Sequence, residues 1–101
     1  MSQQVVVTRH PALVQLLVER GLISAEAEVI VHATVEAIQG RHVFGVLPIH
    51  LAAQAASVTE IPLALTAAER GVELGIERLR EIAGEAVTYV IIRCPQGQFT
   101  P

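Results

Sequence analysis

The sequence predicts a small α/β domain in which short strands alternate with helices around a mostly parallel sheet. Residues 5–8 are β-branched and continuously apolar, as are residues 29–31, which is typical of strands buried on both faces of a parallel sheet. Between such runs lie segments with apolar residues at helical spacing, bounded by Pro and Gly. A chain of 101 residues is long enough for one domain with one core.

The first half of the chain predicts three strands and two helices. Residues 5–8 form the first strand, and Pro11 suits the first turn of a helix over residues 12–20 that ends at Gly21. Residues 28–32 predict the second strand, and residues 35–38 predict one helical turn before Gly40. Residues 42–46 predict the third strand, which Pro48 ends because proline has no N–H for a sheet ladder.

The second half continues the alternation. Residues 50–57 predict a short Ala-rich helix, residues 61–65 a fourth strand, and residues 66–71 a polar connection with a turn at Arg70-Gly71. Residues 73–83 fit an amphipathic helix, with Leu74, Leu79 and Ile82 inward and the pairs Glu77-Arg78 and Arg80-Glu81 on a solvated face. Residues 86–92 predict the last strand.

This order of elements implies a small Rossmann-like, mostly parallel sheet with flanking helices and right-handed crossovers. We expect residues 1–93 to form a single α/β domain. Residues 94–101 contain Cys94, Pro, Gly and Gln, and we expect them to be a flexible C-terminal tail.

Composition excludes several classes of function. The net charge is −3, with ten Glu, seven Arg and neither Asp nor Lys, which disfavours binding of a long nucleic acid. Only Phe44, Tyr89 and Phe99 are aromatic, too few for a base-stacking platform. One cysteine excludes an internal disulfide, and no dinucleotide or P-loop motif is present. No apolar run approaches the ~20 residues that span a bilayer, so we expect a cytoplasmic protein without membrane contact.

Two histidines each follow a short apolar run that leads into a probable helix. The first lies in Val5-Val6-Val7-Thr8-Arg9-His10-Pro11, and the second in Phe44-Gly45-Val46-Leu47-Pro48-Ile49-His50. Carboxyl ends of parallel strands share one rim of the sheet, where ligands bind, and helix N-termini there favour anions. The sequence therefore predicts that Arg9, His10 and His50 converge in one phosphate-sized pocket, whereas His32 and His42 have structural or surface roles.

Three segments together resemble the small Csx-type CRISPR-associated ring nucleases. These segments are Val7-Thr8-Arg9-His10-Pro11, Gly45-Val46-Leu47-Pro48-Ile49-His50-Leu51-Ala52-Ala53 and Glu69-Arg70-Gly71-Val72-Glu73-Leu74, in matching order and spacing. The similarity extends over residues 5–90. It implies a ring-nuclease-like domain, usually a twofold dimer, that cuts cyclic tetra-adenylate into linear fragments and switches off type III CRISPR signalling. Such enzymes generally need no metal, and we expect neither a metal nor a cofactor here.

The resemblance also suggests roles for individual residues in attack by a ribose 2′-hydroxyl on its neighbouring phosphorus. Arg9 and the backbone N–H groups of residues 48–52 suit charge neutralisation, and either His10 or His50 suits proton transfer. The expected substrate contacts come from Thr8, Leu47, Ile49, Leu51, Arg70 and Glu73. Homodimer contacts are expected from the Ala-rich residues 52–56 and from the last helix.

Two other hypotheses use the same rim. In the first, the protein is a binding module that captures the cyclic nucleotide as a sponge or sensor without cutting it. In the second, it is a structural subunit whose rim binds nothing. Sequence alone does not separate capture from cleavage.

Overall fold

The structure, a computed structural model, describes residues 3–95. Its strands are β1 Gln4–Val7, β2 Val29–Ile30, β3 His42–Gly45, β4 Ser57–Glu60 and β5 Val87–Tyr89, and its helices are α1 Pro11–Glu19, α2 Val35–Ile38, α3 Ile49–Ala52 and α4 Ile76–Ile82. A 3₁₀ turn at Ala67–Glu69 precedes α4. Most of the predicted tail, residues 96–101, lies outside the described residues.

The five strands form one sheet in the order β2-β1-β3-β4-β5. The pairs β1–β2, β1–β3 and β3–β4 are parallel, and β5 runs antiparallel to β4. Val7 lies opposite Ile30 on one side and Gly45 on the other, so the carboxyl ends of three adjacent strands are level. The predicted small, mostly parallel α/β sheet is confirmed.

The strand order determines which face each helix covers. The chain moves in one direction from β1 to β2, and in the other direction from β2 to β3 and on to β4. Right-handed crossovers therefore place α1 on one face and α2 and α3 on the other. Two separate cores agree, because Val6 and Phe44 pack with Leu17 of α1, whereas Val5 and Val43 pack with Ile38 of α2.

The first two helices begin where the sequence predicts. His10 is extended at the N-cap of α1, Pro11 occupies the first turn, and the helix ends before Gly21, whose φ is 72°. The side chain of Thr34 accepts a hydrogen bond from the N–H of Ala37 and so caps α2. None of the helices within residues 3–95 has the length and hydropathy needed to cross a bilayer.

The predictions for α3 and β4 are wrong by several residues. The predicted helix over residues 50–57 ends at Ala52, and the N–H of Ala56 bonds the carbonyl of Arg41 as the chain enters β4. The predicted strand over residues 61–65 makes only an isolated bridge between Leu63 and Ala83. Pro62 gives that segment no N–H for a ladder, whereas the β-branched Val58 and Thr59 suit a strand.

The last helix is shorter than predicted, and its charged residues do more than face solvent. It begins at Ile76, because Gly71 has a φ of 79° and Gly75 is extended. Arg78 pairs with Glu69 at 2.6 Å and lowers the pKa of that carboxyl to about 2. Arg80 pairs with Glu19 of α1, so the face that the sequence predicts to be solvated ties α4 to its neighbours.

The Ala-rich segment predicted as a dimer surface is used inside the domain. Ala52 and Ala55 are buried and pack in the core with Val43 and Val58. The last helix is also partly covered, because α4 packs against α1. Gln54, Ala56 and part of α4 remain exposed, so a contact between copies of the chain at these places stays a prediction.

A substitution at Gly45 tests how the central strands fit together. Gly45 has a φ of 138°, and an added Cβ would overlap the carbonyl oxygen of Val7. We expect Gly45→Ala to lower the free energy of unfolding by about 3 kcal/mol or more. At Gly21 an added Cβ meets nothing within 4 Å, so Gly21→Ala should cost roughly 1 to 2 kcal/mol. Urea unfolding of both variants measures the difference, and equal losses would contradict this account.

Candidate functional site

A short turn at the carboxyl end of β1 presents Arg9 and His10. The N–H of Thr8 bonds the carbonyl of Ile30 at 3.0 Å, which extends the pairing with β2. The Thr8 hydroxyl then accepts the N–H of His10 at 3.1 Å, and His10 begins α1. The side chains of Arg9 and His10 are exposed and make no hydrogen bond or ion pair within residues 3–95. Both are therefore available to a ligand.

A cavity of about 330 Å³ lies beside this turn, at the carboxyl ends of β1, β3 and β4. Leu13 and Leu17 of α1 and residues 61 and 63 form part of its apolar wall. Its polar lining residues are Thr8, Arg9 and His10 after β1 and Thr59 and Glu60 of β4. Glu60 follows Val58 by two residues in the strand, so its side chain is on the α3 face, where Glu60 also lines a second cavity. The arrangement therefore offers a cation and an imidazole to a ligand in the main cavity.

His10 also borders two neighbouring cavities. One, of about 350 Å³, lies between the Thr8–His10 turn and the end of β2, where Val29 and Val31 line it. The other, of about 90 Å³, is an apolar slot whose further lining includes Leu63, Leu74 and Leu79. A ligand at His10 therefore has a polar surface on one side and an apolar slot on the other.

Gly45 lines the main cavity between the residues that follow β1 and the residues of β4. It is buried, it ends β3, and it lies opposite Val7 of β1. The absence of a side chain lets the backbones of β3 and β1 approach, because an added Cβ would overlap the carbonyl oxygen of Val7. A larger residue here would force the two strands apart beneath the cavity.

His50 does not share this cavity. It lies on α3, on the opposite face of the sheet from α1, in a cavity of about 570 Å³ that Ile49 and residues 91–93 also line. The three side chains therefore do not share the single pocket that the sequence predicts. The N–H groups of Leu51 and Ala52 already bond the carbonyl of Pro48, so two of the expected phosphate donors are occupied. A catalytic role for His50 remains a prediction.

The other predicted substrate contacts are dispersed. Thr8 lines the main cavity, whereas Leu47 and Ile49 line a shallow cavity of about 130 Å³ on the α3 face. Leu51 packs against the core. Arg70 and Glu73 are exposed in the segment before α4 and do not line the cavities described here.

Thr59 and Glu60 are pocket residues that the sequence analysis missed. Both belong to β4, which the analysis placed four residues too late, so neither was expected at a strand end. The available signal was the β-branched pair Val58-Thr59 followed directly by an acidic residue.

A polar network beneath the cavity fixes Thr59. Its hydroxyl, in a residue only 4% exposed, lies 2.8 Å from Nε2 of His42 and 2.7 Å from the hydroxyl of Thr88. Nδ1 of His42 contacts the hydroxyl of Ser57, and the ring meets Phe44 edge-on. Burial lowers the pKa of His42, which favours the neutral imidazole. These contacts agree with the structural role predicted for His42, and His32 is exposed after β2.

Comparison with protein families assigns this chain to a known group. The model of one family, described as "Putative CRISPR-associated protein (Cas_VVA1548)", matches residues 5–92. The chain belongs to this family. Its match covers all three segments that resemble ring nucleases, and CRISPR association is thereby confirmed. Comparison with curated proteins found no match, and neither did comparison with solved structures.

The Cas_VVA1548 chain has no evident metal centre within residues 3–95, where no three His, Cys or Glu side chains are grouped to hold an ion. Glu60 and His10 share the main cavity, but no third ligand of this kind lines it.

The lowered pKa of His42 predicts a dependence of stability on pH. An unfolded chain binds a proton at His42 near its ordinary pKa of 6.5, whereas the folded chain resists protonation. The folded state should therefore lose stability as the pH falls below about 6.5. We expect His42→Gln to be less stable at pH 7.5 and to show a smaller loss between pH 7.5 and pH 5.5.

Urea unfolding at the two pH values measures this change, and His32→Gln, at an exposed histidine, is the matched control. The control should lose as much stability between pH 7.5 and pH 5.5 as the parent protein does. If His42→Gln also loses as much stability as the parent over this range, the pH dependence does not come from His42.

Proposed function

We propose that this protein is a metal-independent ring nuclease that cuts cyclic tetra-adenylate into linear fragments and so switches off type III CRISPR signalling. The observation that supports this most directly is that Arg9 and His10 lie together at one cavity on the carboxyl rim of the sheet, where neither side chain has a partner among residues 3–95. Family membership supports the CRISPR setting. The resemblance of residues 7–11, 45–53 and 69–74 to ring nucleases supports the choice of substrate.

Arg9 and His10 fit separate tasks in cleavage by a ribose 2′-hydroxyl. The guanidinium of Arg9 suits bidentate contact with phosphoryl oxygens as negative charge builds up on them. An imidazole titrates near neutral pH, so His10 suits proton donation to the departing 5′ oxygen. His10 is preferred to His50 because His10 shares the cavity with Arg9.

The volume of the cavity bears on whether the active protein is a monomer or a dimer. At about 330 Å³ it is close to the lower end of the ~300–1,000 Å³ that hold drug-sized ligands, which is room for one nucleotide unit rather than for the ring. A twofold homodimer would present two such cavities to a ring that has approximate twofold symmetry. We therefore include a homodimer in the proposal.

A sponge or sensor is the second candidate. The apolar slot beside His10 suits a nucleobase whether or not the phosphodiester is cut. Capture without cleavage would use the same Arg9 contact and the same slot. The two functions differ only in whether products form.

The direct test is incubation of the protein with cyclic tetra-adenylate in EDTA, followed by chromatography. We expect linear fragments with cyclic phosphate ends and 5′-hydroxyl ends. Intact ring after long incubation with stoichiometric protein would reject catalysis. Tight binding without products would instead select the sponge or sensor.

Single substitutions separate binding from turnover. We expect His10→Ala to lower the cleavage rate at least 100-fold while binding of the ring stays within a few-fold. Arg9→Ala should weaken binding about 10- to 100-fold and also lower the rate, because a charged hydrogen-bond partner of the phosphate is lost. Rates are measured with enzyme in excess, and affinities by calorimetry with a ring carrying 2′-O-methyl groups.

His32→Ala, at an exposed histidine after β2, is the control for loss of an imidazole and should behave like the parent protein. His50→Ala distinguishes the two candidate acids. Full loss of turnover in His50→Ala with normal turnover in His10→Ala would reverse the assignment.

A further inference from the structure

The α3 side of the sheet carries an apolar surface that is open to solvent. Val46, Ile49 and Ile92 are 74%, 79% and 80% exposed, and Val35 and Tyr89 are exposed to a smaller extent. These residues line two adjoining cavities of about 130 and 570 Å³, and Ile49 lines both. The five residues therefore form one continuous surface, which we call the α3 apolar face.

The area of this face is close to what a dimer requires. With about 60–120 Å² for a Val or Ile side chain and about 150–250 Å² for an aromatic one, the exposed parts of the five side chains come to roughly 250–450 Å². One side of a standard interface buries about 800 Å², of which somewhat more than half is apolar. The α3 apolar face is thus large enough to supply most of the apolar part of such an interface.

The α3 apolar face is bordered by two residues of opposite charge. Glu60 lines the smaller cavity, and Arg93 lines the larger one. Glu60 is half-buried and Arg93 is exposed, and neither side chain has an ion pair or hydrogen bond within the described part of the chain. A half-buried carboxylate without a partner is unfavourable, because burial removes part of its hydration. A cation from another molecule would offset this cost.

Twofold symmetry matches these two charges to each other. In a twofold interface each copy uses the same surface, so a residue at one end of the surface meets a residue at the other end, and the reverse contact also forms. Ile49 lines both cavities and so lies between the Glu60 end and the Arg93 end of the face. An axis near Ile49, in the plane of the interface and perpendicular to the line between these ends, places Glu60 against the partner's Arg93. An axis along that line would place Glu60 against the partner's Glu60, and like charges repel each other.

We infer that the α3 apolar face is the interface of a twofold homodimer in which Glu60 of each copy pairs with the partner's Arg93, an inference that rests on the homodimer of the proposed function. Burial of the apolar side chains drives the association, and the two ion pairs fix its orientation. Glu60 also lines the main cavity. The partner's Arg93 therefore neutralises a carboxylate at the edge of the site that we propose for phosphate, beside Arg9 and His10.

Sedimentation velocity of the full-length protein, from 1 to 100 µM, tests the interface. We expect the parent to be a dimer over most of this range. Ile49→Asp and Ile92→Asp each introduce a charge from both copies into the apolar part of the interface, and each should weaken dimerisation at least 100-fold. Val72→Asp is the matched control, because this valine is also exposed but lines the apolar slot on the α1 side of the sheet. It should dimerise like the parent.

An exchange of charges tests the pairing of Glu60 with Arg93. Glu60→Arg and Arg93→Glu should each weaken dimerisation about 10-fold or more, because like charges then meet across the interface twice. The double variant restores opposite charges and should dimerise within about threefold of the parent. Circular dichroism with thermal melting confirms that each variant is folded. Should Glu60→Arg fail to fold, the dimerisation of Arg93→Glu decides alone, and an unchanged dimer would overturn the pairing.

Two results would overturn the interface as a whole. One is a parent protein that is still a monomer at 100 µM. The other is a dimer that persists in both Ile49→Asp and Ile92→Asp. If these two variants are monomers but the double charge exchange fails to restore the dimer, the pairing of Glu60 with Arg93 is wrong.

Cleavage of cyclic tetra-adenylate by the same samples distinguishes this inference from the proposed function. If the parent is a dimer, the two aspartate variants are monomers and the ring stays intact, the nuclease function fails and the interface stands. If a monomeric parent cuts the ring, the interface fails and the nuclease function stands.

Discussion

The close approach of β3 to β1 at Gly45 and Val7 is the constraint on which the rest of the structure depends. These strands are neighbours in the sheet but not in the sequence, and the chain leaves them towards opposite faces. In parallel α/β sheets a crevice opens at such a point, outside the carboxyl ends of the strands. A side chain at position 45 would overlap the carbonyl oxygen of Val7 and force the strands apart. Gly45 also lines the main cavity, so this one glycine supports both the fold and the rim of the cavity.

Near the amino ends of the strands, the side chain of Arg41 joins neighbouring segments of the chain. Arg41, only 6% exposed, bonds the carbonyl of Gln4 at 3.0 Å, the carbonyl of Ala37 at 2.8 Å and the carboxylate of Glu28 at 2.7 Å. This guanidinium ties β1, α2 and the chain entering β2, and it lowers the pKa of Glu28. Loss of Arg41 would remove three hydrogen bonds that join these segments. The fold is thus anchored at the end of the sheet away from the cavity, so the rim is left open to a ligand.

Local sequence signals predicted the parts of this structure that local interactions determine. The helix at α2, with its Thr34 cap, and the junction of β1 with α1 at Arg9 and His10 follow from capping and proline chemistry. β4 was misplaced because its polar residues are satisfied by partners distant in the chain, such as the Thr59 contact with His42. The side of the sheet on which His50 lies depends on strand order, and that order is a long-range property. For the same reason Thr59 was not recognised as a residue of the cavity beside His10.

The charges at the rim are one reason for proposing turnover rather than storage. The chain has a net charge of −3, and Arg9 is the single guanidinium among the described residues that line the main cavity. A protein selected to hold a tetra-anion would gain affinity from more cations around the cavity. An enzyme gains from groups that act as charge and protons move, and binding its substrate less tightly than its transition state is an advantage. One cation and one imidazole in a cavity sized for a single nucleotide fit the proposal of a site that cuts one phosphodiester and then releases it.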